Sequence, residues 1–257
     1  MRALPIVFAV WIVALACAAP APAQAQSRAQ AAYVAGDFMA AAARVEAVGG
    51  DRSLAARALL AAVLTGGPVD DVDALIARAE AHARAGAAAD PDDAEPRLHL
   101  ALALGMKARR APLRDAVKAG YAREGRALID AALRLAPASP WAHALDGAWH
   151  LEILRRGGRV GASLYGAERG AGLAAFERAR ALAPGDAAIA YQYAVALLEL
   201  DGARGAARAR ALLAVAGACR ADDAFEAAIA AQARQVAQIL DTRGPAAAAR
   251  DATRALD

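Results

Sequence analysis

Three short turns in this chain share one pattern. Ala89-Asp90-Pro91-Asp92-Asp93, Leu135-Ala136-Pro137-Ala138-Ser139 and Leu182-Ala183-Pro184-Gly185-Asp186 each place a Ser or Asp two residues after a proline, and the prolines are 46 and then 47 residues apart. Proline ends a helix because it has no N–H to donate and its ring clashes with the preceding turn. The Ser or Asp then caps the next helix by accepting a hydrogen bond from a free backbone N–H. An apolar helical pattern follows each turn, so the chain reads as a repeated helical hairpin with a long period.

Apolar periodicity between these marks predicts helices near 28–48, 52–65, 69–87, 93–109, 112–136, 139–156, 168–183, 186–200, 204–219, 222–242 and 245–255. No segment shows strand alternation. Gly49-Gly50-Asp51, Gly66-Gly67-Pro68, Gly157-Gly158 and Gly244-Pro245 are breakers. Asp223 with Glu226 three residues on forms a capping box, a fourth helix start of the same kind. Eight residues after the caps Asp93, Ser139, Asp186 and Asp223 stand Ala101, Gly147, Ala194 and Ala231, the small residues that closely packed helices require. The expected fold class is all-α, an array of antiparallel helical hairpins. Alanine is by far the commonest residue, which favours helix and permits close approach.

Before the prolines, Ile129-x-x-Ala132-x-x-Leu135 matches Phe176-x-x-Ala179-x-x-Leu182, with large and small positions coinciding. The stretch from Phe176 through Ala179 to Pro184 resembles the end of the second helix in the tetratricopeptide repeat family, as does that from Ile129 to Pro137. Gly36-Asp37-Phe38-x-x-Ala41, with Tyr33 just before, is similar to the turn between that family's two helices. The resemblance is strongest over residues 31–48, 120–150 and 172–200 and implies an α-solenoid that binds proteins or peptides in a concave groove. Family repeats run roughly 34 residues. The surplus of about a dozen here is expected as extra turns or a short helix around 155–171 and 107–120.

Residues 1–25 read as a signal peptide: Met1-Arg2 is a basic start, Ala3 to Ala19 carries no charge, and Ala23-Gln24-Ala25 has the small residues a signal peptidase requires. Residues 26–257 then form the helical-repeat domain, and the expected location is the periplasm. Acylation at Cys17 would make a lipoprotein, but Ala14-Leu15-Ala16 is a poor match to the lipobox. The apolar stretch falls short of the roughly 20 residues of a spanning helix, so no integral span is expected after cleavage. Cleavage leaves Cys219 as the sole cysteine, which excludes an intramolecular disulfide and paired-cysteine zinc sites. The net charge is +3 and acidic residues are interspersed with the arginines, so nucleic acid is not an expected partner.

One helix concentrates unusual residues. His143, Asp146 and His150 fall on one stripe and have the types to ligate a transition metal or to act as an oriented base. The reading preferred is a mutually hydrogen-bonded polar cluster inside the hairpin. Trp141, Leu145 and Trp149 form a second stripe, read first as core and then as a groove lining. Arg155-Arg156-Gly157-Gly158-Arg159 and Gly161 to Gly166 lack any phosphate-loop fingerprint. His82 and His99, standing among alanines and leucines, read as surface or satisfied core.

With no catalytic motif in the sequence, neither a catalytic residue, a cofactor nor a metal is expected, and the activity expected is binding. The partner is a protein or peptide of the cell envelope, met by Trp141, Trp149, Tyr165, Tyr191 and Tyr193 as large aromatic anchors. The alternative is a ligand-binding accessory of a TRAP-type transporter, in which the aromatic and arginine segment 141–165 closes over a small molecule or lipid.

Overall fold

Capping by Asp and Ser organises the chain much as the turn chemistry requires. In the computed structural model, which describes residues 21–67 and 71–254, the side chains of Asp37, Asp51, Asp71, Ser139, Asp186 and Asp223 each accept a backbone N–H at the start of a helix. Asp93 is displaced by one residue: its carboxylate accepts the Glu95 N–H, and the helix begins there. The partner arm of the expected capping box is also shifted, since Glu226 Oε2 accepts the N–H of Asp222 rather than Asp223.

The described residues form thirteen α-helices, one 3-10 turn and no strand, so the chain is all-α. The helices are α1 Ala21–Val34, α2 Phe38–Val48, α3 Arg52–Leu64, α4 Val72–Ala89, α5 Glu95–Arg110, α6 Leu113–Ala119, α7 Tyr121–Leu135, α8 Pro140–Tyr165, α9 Arg169–Leu182, α10 Ala187–Asp201, α11 Ala206–Ala218, α12 Ala224–Arg243 and α13 Pro245–Thr253. They pack as hairpins in sequence order: α1 with α2, α3 with α4, α5 with α7, α8 with α9, α10 with α11, and α12 with α13. Each proline turn therefore joins one tight pair to the next.

Two expected helices are split. The segment 28–48 breaks at Gly36 (φ 86°) and Asp37, the turn that carries the family resemblance, and 112–136 breaks at Gly120 (φ 76°). The reverse holds at 157–158. The backbone leaves helical values only at Gly158 (φ 55°, ψ −150°), and helix resumes to Tyr165. The surplus length of the repeat is thus α6 and the part of α8 beyond Gly158, in the two places where the period requires it.

The α8/α9 hairpin shows why small residues stand at its crossing. A Cβ on Gly147 would lie 2.5 Å from the Phe176 ring and 2.8 Å from the Gly172 carbonyl oxygen, and one on Gly172 would lie 2.9 Å from His150 Cβ. Phe176 fills this crossing and stacks on Tyr193, ring centroids 4.6 Å apart and planes 2° from parallel, joining the hairpin to α10. Ala101 and Ala194 are buried at the equivalent position, whereas Ala231 is exposed, so the register does not extend to α12.

Two large cores result, one built from α1–α5 and the other from α8–α13. Phe225 of α12 packs against both. Ala224 and Phe225 lie against the N-terminal core, Gln232 Nε2 donates to the Leu64 carbonyl oxygen (3.0 Å), and a Cβ on Gly36 would meet Ala224 Cβ at 2.8 Å. The array therefore curls until its last hairpin rests on its first two. Among the described residues no helix is long and apolar enough to cross a membrane. The charge-free stretch Ala3 to Ala19 and Cys17 lie outside them.

Candidate functional site

The curvature leaves an apolar cleft of about 190 Å³ between α5, α7, α8 and α10, closed at one side by Leu64 at the end of α3. Small residues open it: Gly105 on α5, Gly125 on α7, and Ala148 and Ala196 on α8 and α10. Trp149 and Tyr121 supply its aromatic walls.

Trp149 is fixed from several sides. Its indole N–H donates to the Ala122 carbonyl oxygen (2.9 Å), the Arg126 guanidinium lies 5.1 Å from its ring, and His150 meets it edge-on. Arg126 is itself held by Asp130 (2.6 Å) and Asp146 (2.5 Å). An aromatic face so restrained loses little side-chain entropy when a partner covers it.

One end of the cleft is polar. Arg109 pairs with Glu199 and with Glu152 (3.1 Å), while Arg155 pairs with Glu152 (2.6 Å) and approaches Glu199 at 3.7 Å. Burial pushes the Glu152 carboxyl upward, but the Arg155 hydrogen bond and the Arg109 charge outweigh it and hold the group below the usual carboxylate range. Burial disfavours the Arg109 cation, and the two glutamates more than restore it. Two cations and two anions satisfy one another, so the quartet is a charge-balanced wall.

Of the five aromatics expected at a contact surface, the structure brings only Trp149 to the cleft. Trp141 is exposed at the start of α8, and Tyr165 is half-buried at its far end beneath Arg123. Tyr191 and Tyr193 are core, which corrects their expected place on a surface. Position accounts for it: Tyr191 reaches toward the Ala252 carbonyl and Tyr193 stacks on Phe176, both inward from the most apolar of the described helices. Segment 141–165 thus brings Trp149, Glu152 and Arg155 to the cleft and leaves Trp141 and Tyr165 outside it.

His143, Asp146 and His150 share a helix but not a network. His143 Nε2 lies 3.0 Å from the Pro137 carbonyl oxygen, Asp146 accepts from Arg126, and His150 Nδ1 accepts the Glu168 N–H at 3.0 Å. Only His150 Nε2 and Asp146 come near each other, at 3.6 Å. The expected mutual cluster is replaced by three separate structural bonds, because the turns before α8 and α9 offer backbone partners that periodicity does not reveal. Among the described residues no three His, Cys, Asp or Glu side chains are grouped to hold a metal ion.

Two constellations were not legible in the sequence. One is the quartet, whose members come from three helices. The other is His99, whose Nδ1 lies 3.0 Å from Ser53 Oγ across the α3/α5 contact, with Glu95 Oε1 3.9 Å from Nε2. His82 is buried between Glu46 (2.9 Å) and Arg52 (3.4 Å), a satisfied core histidine. No family model matches the chain, and no curated protein matches it either.

Proposed function

We propose that the chain is a non-enzymatic helical-repeat protein of the tetratricopeptide type that binds a protein or peptide of the cell envelope, seating a large apolar side chain in the cleft beside Trp149. The observation that carries this reading is the cleft: apolar, aromatic-walled, and bounded by charges already paired to one another. Its size favours a side chain over a whole ligand, since pockets for drug-sized molecules span roughly 300–1,000 Å³. A restrained tryptophan in an apolar recess is the kind of residue that dominates interface energetics once a partner covers it. Export to the periplasm is part of the proposal and rests on the charge-free stretch Ala3 to Ala19 and the Ala23-Gln24-Ala25 site.

The test fills the cleft without removing a contact. Ala196 lines it from α10, and Ala196→Phe should abolish cross-linking to envelope peptides, lowering recovery roughly tenfold or more at an unchanged melting temperature. Recovery of the same partners by this variant would overturn the cleft as the seat. Native mass spectrometry of the wild-type chain addresses the transporter-accessory alternative, which requires a retained small molecule.

A further inference from the structure

Contacts flank the two insertions at both of their ends. Just before Gly158, Arg156 donates to the carbonyl oxygens of Ala108 and Ala111 (2.9 Å to the latter), the residues that lead into α6. At the far end of α8 the Arg123 guanidinium lies 5.7 Å from the Tyr165 ring, and Arg123 stands in the first turn of α7, three residues after the Gly120 that ends α6. The α6 helix and the end of α8 thus bridge the same two points of the molecule.

Both insertions leave their branched aliphatic side chains exposed. Val160 and Leu164 are 80% and 60% exposed, and Leu113 and Val117 are 46% and 45% exposed. Each pair has i, i+4 spacing and so shares one helix face. The surrounding charge is predominantly positive: Arg114, Lys118, Arg123 and Arg159 are exposed, against Asp115 and Glu168. Arg114 pairs with Asp115 at 3.3 Å, which leaves Lys118, Arg123 and Arg159 against Glu168. Exposed aliphatics collared by long basic side chains are the composition of a surface that sits at a bilayer interface, with the apolar groups at the acyl boundary and the cations among headgroup phosphates. Aromatic anchors in recesses, which mark protein contacts, are missing from these four positions.

We propose that the α6 helix and the α8 segment after Gly158 together form a docking surface for an anionic lipid bilayer. It is separate from the cleft and does not rest on the peptide-binding reading. The full-length chain is tested by co-sedimentation with phosphatidylglycerol-containing vesicles and with pure phosphatidylcholine vesicles, beside the variants Val160→Ser/Leu164→Ser and Lys118→Glu/Arg159→Glu. All carry the same apolar N-terminal stretch, so differences between them report the patch. The wild-type chain should bind the anionic vesicles preferentially and release as salt rises. Each double variant should bind at least roughly tenfold more weakly with its melting temperature unchanged. Equal binding by wild type and both variants, equal binding to both kinds of vesicle, or no vesicle binding by the wild type would each overturn the proposal. Should one variant unfold, the other still decides the outcome.

Discussion

His99 shows what a single residue brings to this molecule. Burial, with the nearby Arg57 charge, pushes its pKa down to about 4, against a smaller opposing effect of Asp51. The folded state therefore holds a neutral ring where the unfolded chain would take up a proton. Above about pH 6.5 neither state is protonated and nothing is lost. As pH falls from about 6.5 to about 4, the unfolded state gains the proton first, and stability should drop by about 1.4 kcal/mol per pH unit, to about 3 kcal/mol at most. Burial lowers His150 as well, which adds to the slope. Urea denaturation of wild type and His99→Gln between pH 7 and pH 5 checks this: the variant should show a clearly shallower loss, and an unchanged slope would contradict the assignment. None of it was legible in the sequence, because Ser53 and His99 stand 46 residues apart and are joined only by the packing of α3 on α5.

At the scale of elements, the turns were legible and the contacts between helices were not. Asp, Ser, Pro and Gly act on their immediate neighbours, so Ser139, Asp186 and Asp223 announce helix starts from local chemistry alone. The break at Gly36 is legible in its Gly-Asp-aromatic motif but not in periodicity, which does not tell whether a glycine ends a helix, as Gly36 does, or only kinks one, as Gly158 does. Tyr191 and Tyr193 failed for a related reason. In α10 apolar residues surround the axis, and no stripe distinguishes a groove from a core. The small residue eight positions after Ser139 was correctly marked as a crossing point, and it carries a prediction. Gly147→Ala puts a Cβ into the Phe176 ring and the Gly172 backbone and should destabilise by about 1–3 kcal/mol through overpacking, despite alanine's better helix propensity. Thermal unfolding measures it, and a melting temperature at or above wild type would show that α9 can slide aside.

For the whole molecule the decisive feature is the seating of α12 on the first two hairpins. Gly36 makes it possible twice over, with a left-handed backbone and no Cβ to strike Ala224. Gly36→Ala should weaken that seam, and small-angle scattering should report a larger radius of gyration than wild type, whereas an unchanged radius would mean that the seam adapts. The seam also bears on how the chain acquires its structure. A linear helical array makes nearly all its contacts between neighbours, so it can nucleate anywhere and fray from either end. Here the bond from Gln232 to Leu64 spans 168 residues, and both termini of the helical array are held by elements remote in sequence. Long-range closure of this kind raises the entropy that must be lost before the last contacts form. The final hairpin should therefore dock in a slow, late phase, after the interior hairpins have already become protected from hydrogen exchange.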